Sequence, residues 1–139
     1  MIAYVDASVL LRVLLEPGRL GEWRQVERAV SSALAEVEVL GTLDRLRLRG
    51  ALTLEEAAER RGAAVRLMRA VSLADVSAAI LRRAADPFPT PLGTLDAIHL
   101  ATALGWRDVQ HRELVMATHD AQLAMAARAC GFDVVGTSG

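Results

Sequence analysis

Four acidic residues, Asp6, Glu38, Asp96 and Asp120, are the side chains of this sequence best placed to do chemistry. Asp6 ends the apolar run Ile2–Val5, and Asp120 follows the strand-like run Leu114–Thr118. Glu38 lies in Ser32-Ala-Leu-Ala-Glu-Val-Glu-Val-Leu40, early in an expected helix, and Asp96 opens the run Leu95-Asp-Ala-Ile-His-Leu-Ala-Thr-Ala-Leu104. In an α/β fold, ligands bind at the carboxyl ends of parallel strands, where Asp6 and Asp120 would both point. Gathered carboxylates repel one another, and a hard divalent cation with oxygen ligands is the usual compensation. The chemistry this favours is metal-assisted attack on a phosphate.

Each Asp also has a plainer reading. Asp6, Asp96 and Asp120 stand at or within the first turn of expected helices, where a carboxylate satisfies free N–H groups and the helix dipole. That role alone explains any one of them. Glu38 is different: with Ser31 or Ser32 as the cap it lies beyond the first turn, among Val37, Val39 and Leu40. A buried acid there needs a partner, whereas an outward-facing one needs none. Glu36 points about 200° away around the helix, so only one of the two can face the sheet edge.

The elements that must position these acids follow from pattern. Ile2–Val5 reads as a buried strand and Val9–Leu15 as a helix stopped by Pro17-Gly18. A second helix is expected over about Gly21–Ala29, then a short strand at Val30-Ser31-Ser32 and a long helix to about Arg49, ended by Gly50. Thr53 with Glu56 three residues on forms a capping box for the next helix. Val71-Ser72-Leu73 is a candidate strand, and Ala74–Ala85 a helix with Val76, Ile80 and Leu81 inward. Pro87, Pro89 and Pro91 forbid helix across Asp86–Gly93. Thr94 is expected to cap a helix to about Leu104, followed by strand Leu114–Thr118, helix Ala121–Ala129 ended by Gly131, and strand Phe132–Val135. Short strands separated by helices predict one three-layer α/β domain over residues 1–139, a short parallel sheet with helices on both faces.

Composition sets the remaining bounds. A 139-residue chain that is 53% hydrophobic is not disordered. One cysteine, Cys130, allows no internal disulfide and fits a reducing cytoplasm. The start of the chain does not read as a signal peptide, and no run approaches the ~20 apolar residues of a membrane span. All 16 basic residues are Arg, against a net charge of −1, so any nucleic-acid contact must come from a local Arg patch. Arg12, Arg24, Arg28, Arg45 and Arg49 are the candidates, with Arg45 and Arg49 one turn apart on the Glu38 helix; solvated surface charge is their default role. No spacing among His99, His111 and His119 suggests a zinc site.

The stretches Tyr4-Val-Asp-Ala-Ser-Val-Leu10, Val30-Ser-Ser-Ala-Leu-Ala-Glu-Val-Glu-Val-Leu40, Thr94-Leu-Asp-Ala-Ile-His-Leu-Ala-Thr-Ala103 and Met116-Ala-Thr-His-Asp-Ala-Gln-Leu123 together resemble the PIN-domain ribonucleases, most closely the VapC-type toxins of bacterial toxin–antitoxin pairs. They follow the family's order over nearly the whole chain. The resemblance implies a Rossmann-like PIN fold and hydrolysis of RNA phosphodiesters with Mg²⁺ or Mn²⁺. It places the family's acids at Asp6, Glu38, Asp96 and Asp120, with none missing. Apart from the resemblance, Ser8 and Thr118 are candidate supporting hydroxyls, and His99, one turn after Asp96, either hydrogen-bonds a ligand or contacts substrate, or is a partly buried structural histidine. The resemblance further implies a VapB-like antitoxin, for which the apolar surfaces of Gly21–Ala29 and Leu46–Met68 are candidates, and a homodimer. An RNA-processing PIN nuclease without an antitoxin and a non-catalytic RNA-binding module are the alternatives. A receiver-like phosphoacceptor domain wants an acidic pair after the first strand and a late Lys, and the chain has no Lys.

Overall fold

The computed structural model describes residues 1–137. Five parallel strands, β1 (Ile2–Val5), β2 (Arg28–Ser32), β3 (Ser72–Ala74), β4 (Val115–Ala117) and β5 (Val134–Val135), form one sheet in the order β3-β2-β1-β4-β5. Six α-helices connect them: α1 (Ala7–Leu15), α2 (Leu34–Leu48), α3 (Leu54–Ala70), α4 (Ala78–Ala84), α5 (Thr94–Gln110) and α6 (Ala121–Ala129). The expected three-layer arrangement is present. Side chains alternate along β1, so Ala3 and Val5 enter a core with Leu10, Val39, Leu43 and Met68 of α1–α3. Tyr4 enters the opposite core with Leu100 and Leu104 of α5, Met116 of β4 and Leu123 of α6.

This strand order determines where a ligand can bind. From β1 the chain winds outward through β2 and β3, then returns to lay β4 and β5 on the other side. The carboxyl ends of β1 and β4 therefore flank the point where the winding reverses, and a crevice opens there. Asp6 follows β1, and Thr118 and Asp120 follow β4.

Several boundaries differ from those read in the sequence. Gly21–Ala29 is not a helix: Pro17–Trp23 forms 3-10 turns, and β2 already begins at Arg28. Pairing of Ala29 with Ala3 and Val30 with Tyr4 outweighs local propensity. The segment therefore presents no amphipathic helix face. The long helix to Leu48 has Ala33 as its N-cap, and Ser32 Oγ accepts from the Leu34 N–H at 3.0 Å. Helix α4 starts at Ala78, capped by Ser77, and Leu81 points outward, 47% exposed. Helix α5 has Gly93 as its N-cap, not Thr94, and runs to Gln110. The helix passes through Gly105, where a Cβ would lie 2.8 Å from Ile80 Cδ1, so the missing side chain lets α4 pack closely. The Thr53–Glu56 capping box is present, as are helix Ala121–Ala129 and non-helical backbone across Asp86–Gly93.

Candidate functional site

Asp6 is the most deeply set of the acids, 4% exposed at the N-cap of α1. Its Oδ1 accepts from Ser8 Oγ at 2.6 Å and from the Val9 N–H at 3.2 Å, and its Oδ2 accepts from Thr118 Oγ1 at 2.6 Å. Burial pushes its pKa above the ordinary aspartate value, and the two hydroxyls and the Val9 N–H hold part of that rise back. The capping role and the cleft position thus coexist in one side chain. Thr118, fully buried, also accepts from the Asp120 N–H at 2.9 Å, while Ser8 Oγ accepts from the His119 N–H at 3.0 Å. These two hydroxyls tie the ends of β1 and β4 together through one carboxylate.

Asp120 caps α6, accepting from the Leu123 N–H at 2.9 Å. Asp96 lies in the first turn of α5, half-buried, with its pKa pushed up to about 6. Burial is the largest cause, followed by the charges of Asp120 and Asp6; His99 opposes the rise and Glu38 adds to it. Mutual repulsion among the acids is therefore a property of this structure. Glu38, one turn into α2, accepts through Oε1 from His99 Nε2 at 2.5 Å, whereas Glu36 is exposed. The partner that a part-buried Glu38 requires is His99, which is 1% exposed and bonded through Nδ1 to the Tyr4 hydroxyl at 2.6 Å.

Asp6, Glu38, Asp96 and Asp120 line one cleft of about 230 Å³, shared with Ser8 and His99. Thr42 and Arg45 of α2 complete its wall, and Arg45 Nη2 donates to Thr42 Oγ1 at 3.0 Å. Of the arginines considered above, Arg45 lines the cleft and the others do not. Arg28 lies at the amino edge of the sheet, opposite the cleft, with its guanidinium 5.7 Å from the Trp106 ring and Nε donating to Ser72 Oγ. Arg12 sits in the last turn of α1, Arg24 follows the 3-10 segment, and Arg49 caps the far end of α2. Pattern reading missed Thr42 and Tyr4. Thr42 had a signal, being four residues after Glu38 on one helix face. Tyr4 had one too, since a phenol in a buried strand needs a polar partner.

The donor set suits a hard cation: four carboxylates, no thiolate, and an imidazole already bonded at both nitrogens. Among the described residues, no three His, Cys, Asp or Glu side chains form a ready-made metal-binding group. A cation that keeps several waters and takes one or two carboxylates directly, as Mg²⁺ does, fits such an open cleft.

The sequence matches the PIN domain over residues 3–129, and the chain belongs to that family. Among solved structures it is similar to PAE2754 from Pyrobaculum aerophilum, with 19% identity, a TM-score of 0.62, and coverage of 96% of this chain and 84% of that one. It is also similar to VapC20 from Mycobacterium tuberculosis, described as a sarcin-ricin loop cleaving toxin. There the identity is 18%, the TM-score 0.58, and coverage 95% of this chain and 96% of that one. These likenesses concern the fold. No curated protein shows significant sequence similarity to the chain. No helix among the described residues is long and apolar enough to cross a membrane.

Proposed function

We propose that the protein is a metal-dependent endoribonuclease acting as the toxin of a VapBC-type pair. The observation that supports this best is the convergence of four carboxylates, from the N-caps of α1 and α6, the first turn of α5 and from α2, on one cleft with Arg45 in its wall. When bound, Mg²⁺ or Mn²⁺ would lower the pKa of a coordinated water and offset charge developing on the phosphate. Asp6, fixed by two hydroxyls and a backbone N–H, supplies a rigid anchor for the cation, with Asp96 beside it. Glu38 and Asp120 would hold coordinated waters or ligate the cation directly. Arg45 is suited to a phosphate oxygen of the RNA backbone.

The antitoxin belongs to the same proposal. Between α2 and α3 a groove of about 190 Å³ is lined by Leu40, Leu43, Leu54 and Ala57, with Asp44, Arg47 and Arg61 at its edges. Leu48 and Leu54 are 68% and 75% exposed nearby, apolar area that a VapB-like chain would cover. The proposed homodimer is checked by the molar mass of purified protein in solution.

The deciding experiment is cleavage of total RNA by purified protein with Mn²⁺ or Mg²⁺, beside EDTA and Asp96→Asn controls. Metal-dependent cuts at discrete sites, absent in the variant, are expected. No cleavage, or cleavage that survives Asp96→Asn, rejects the proposal and leaves a binding module. Growth arrest on expression, relieved by Asp96→Asn, distinguishes a toxin from a processing nuclease.

A further inference from the structure

The proposed site uses Glu38, yet the most deeply buried polar group near it is not an acid. Tyr4 and His99, 0% and 1% exposed, make a continuous hydrogen-bonded line from the core to the cleft. The Tyr4 hydroxyl lies 2.6 Å from His99 Nδ1, and His99 Nε2 lies 2.5 Å from Glu38 Oε1. The rings meet edge to face, with centroids 5.7 Å apart and planes at 71°.

Three elements are joined by this line: β1 through Tyr4, α5 through His99 and α2 through Glu38. A carboxylate can only accept, so Nε2 must carry a proton, and the imidazole presents that N–H to Oε1. The phenol is held in turn. The Ser31 and Thr102 hydroxyls flank it, and both donate to carbonyls, Val5 O at 2.6 Å and Ile98 O at 2.7 Å. With Nε2 protonated in a neutral ring, Nδ1 accepts, so the Tyr4 hydroxyl donates its one proton to His99. Among the described residues, Oε2 of Glu38 has no hydrogen-bond partner, and it is the oxygen left to the cleft.

We infer that Tyr4 and His99 are positioning residues that clamp Glu38 Oε1 and thereby present Oε2 to a cation or its water in the cleft. A free glutamate on a helix surface samples several rotamers, and a donor fixed by core packing removes that freedom before the ligand arrives. The clamp rests on the metal-site reading for its consequence, though not for its geometry.

The test is Mn²⁺ affinity by calorimetry, with thermal stability measured beside it. His99→Gln returns an N–H to the Nε2 position, whereas His99→Asn reaches only the Tyr4 side. Tyr4→Phe is expected to weaken Mn²⁺ binding by roughly 2- to 10-fold, the loss of one hydrogen bond. His99→Asn should weaken it roughly 10- to 100-fold, with His99→Gln recovering most of that loss. In a Glu38→Ala background, Tyr4→Phe should have no further effect on affinity. Lower stability with unchanged affinity, or an equal loss in the Glu38→Ala background, would overturn the clamp. If the unaltered protein binds no Mn²⁺, the metal-site reading fails by itself. The clamp is then decided in metal-free protein by nitrogen-15 NMR of the His99 ring. A slowly exchanging Nε2–H whose exchange speeds up in both Glu38→Ala and Tyr4→Phe supports it, and an Nε2 without a bound proton, or exchange unchanged in either variant, refutes it.

Discussion

Replacing Asp96 by Asn should stabilise the metal-free protein at neutral pH. Its pKa is raised from 3.8 to about 6, and at 1.36 kcal/mol per pH unit that gap corresponds to about 3 kcal/mol against the charged form. Asp96 is only half-buried, so solvent screening reduces the figure to about 1.5 kcal/mol. Against this stands the favourable position of a carboxylate in the first turn of α5, worth about 0.3–1 kcal/mol and lost in the variant. The cost of the buried, crowded charge wins by about 0.5–1 kcal/mol, a rise in Tm of roughly 2–4 °C for a chain of this size. The sign with pH follows from linkage. A folded-state pKa above the unfolded one means the native protein binds more protons between about 4 and 6. Native stability from this group is therefore recovered as pH falls through about 6 and lost as pH rises through it. The advantage of Asp96→Asn should thus vanish by about pH 4. Thermal unfolding in EDTA at pH 7.5, 6 and 4 measures it. A variant less stable at pH 7.5, or a difference that does not change with pH, would show Asp96 to be simply a helix-start carboxylate and refute the argument from burial and repulsion.

Three further outcomes are expected. Millimolar Mn²⁺ should raise the Tm of the unaltered protein and leave that of Asp96→Asn nearly unchanged, and an equal rise in both would detach Asp96 from the cation. Asp6→Ala removes a helix cap and leaves the buried Thr118 hydroxyl without its acceptor, so chemical denaturation should show a loss of about 2–3 kcal/mol even in EDTA. Arg45→Ala should raise KM for RNA with little change in kcat and flatten the salt dependence of binding, since it removes a phosphate contact and not a reacting group.

How each acid is used divides along a physical line. The strand-then-acid pattern at Asp6 and Asp120, the capping box at Thr53 and the proline-broken segment at 86–93 depend on residues within a turn or two of one another, and they are legible in the sequence. Periodicity also separates Glu38 from Glu36, because helix geometry allows only one of them to face the sheet edge. The sequence reading of Gly21–Ala29 as helix failed where Ala29 and Val30 are claimed by β1, a pairing 26 residues away in the chain. Helix α5 likewise runs past its expected end near Leu104 to Gln110, and its Gly105 is the point where Ile80 of α4 packs against it.

Sequence by itself therefore determined the kind of residue available and its place on a strand end or helix start. Only the tertiary structure decided which of five arginines reaches the cleft: Arg45 alone lines it, and Arg28 stands at the opposite edge of the sheet. Only the tertiary structure joined Tyr4, His99 and Glu38, residues 95 and 61 positions apart in the pairs that touch. Local patterns follow from backbone geometry and short-range hydrogen bonding, which act over a few residues. A cleft wall or a hydrogen-bonded line between elements depends on strand order and packing, which no short stretch of sequence contains.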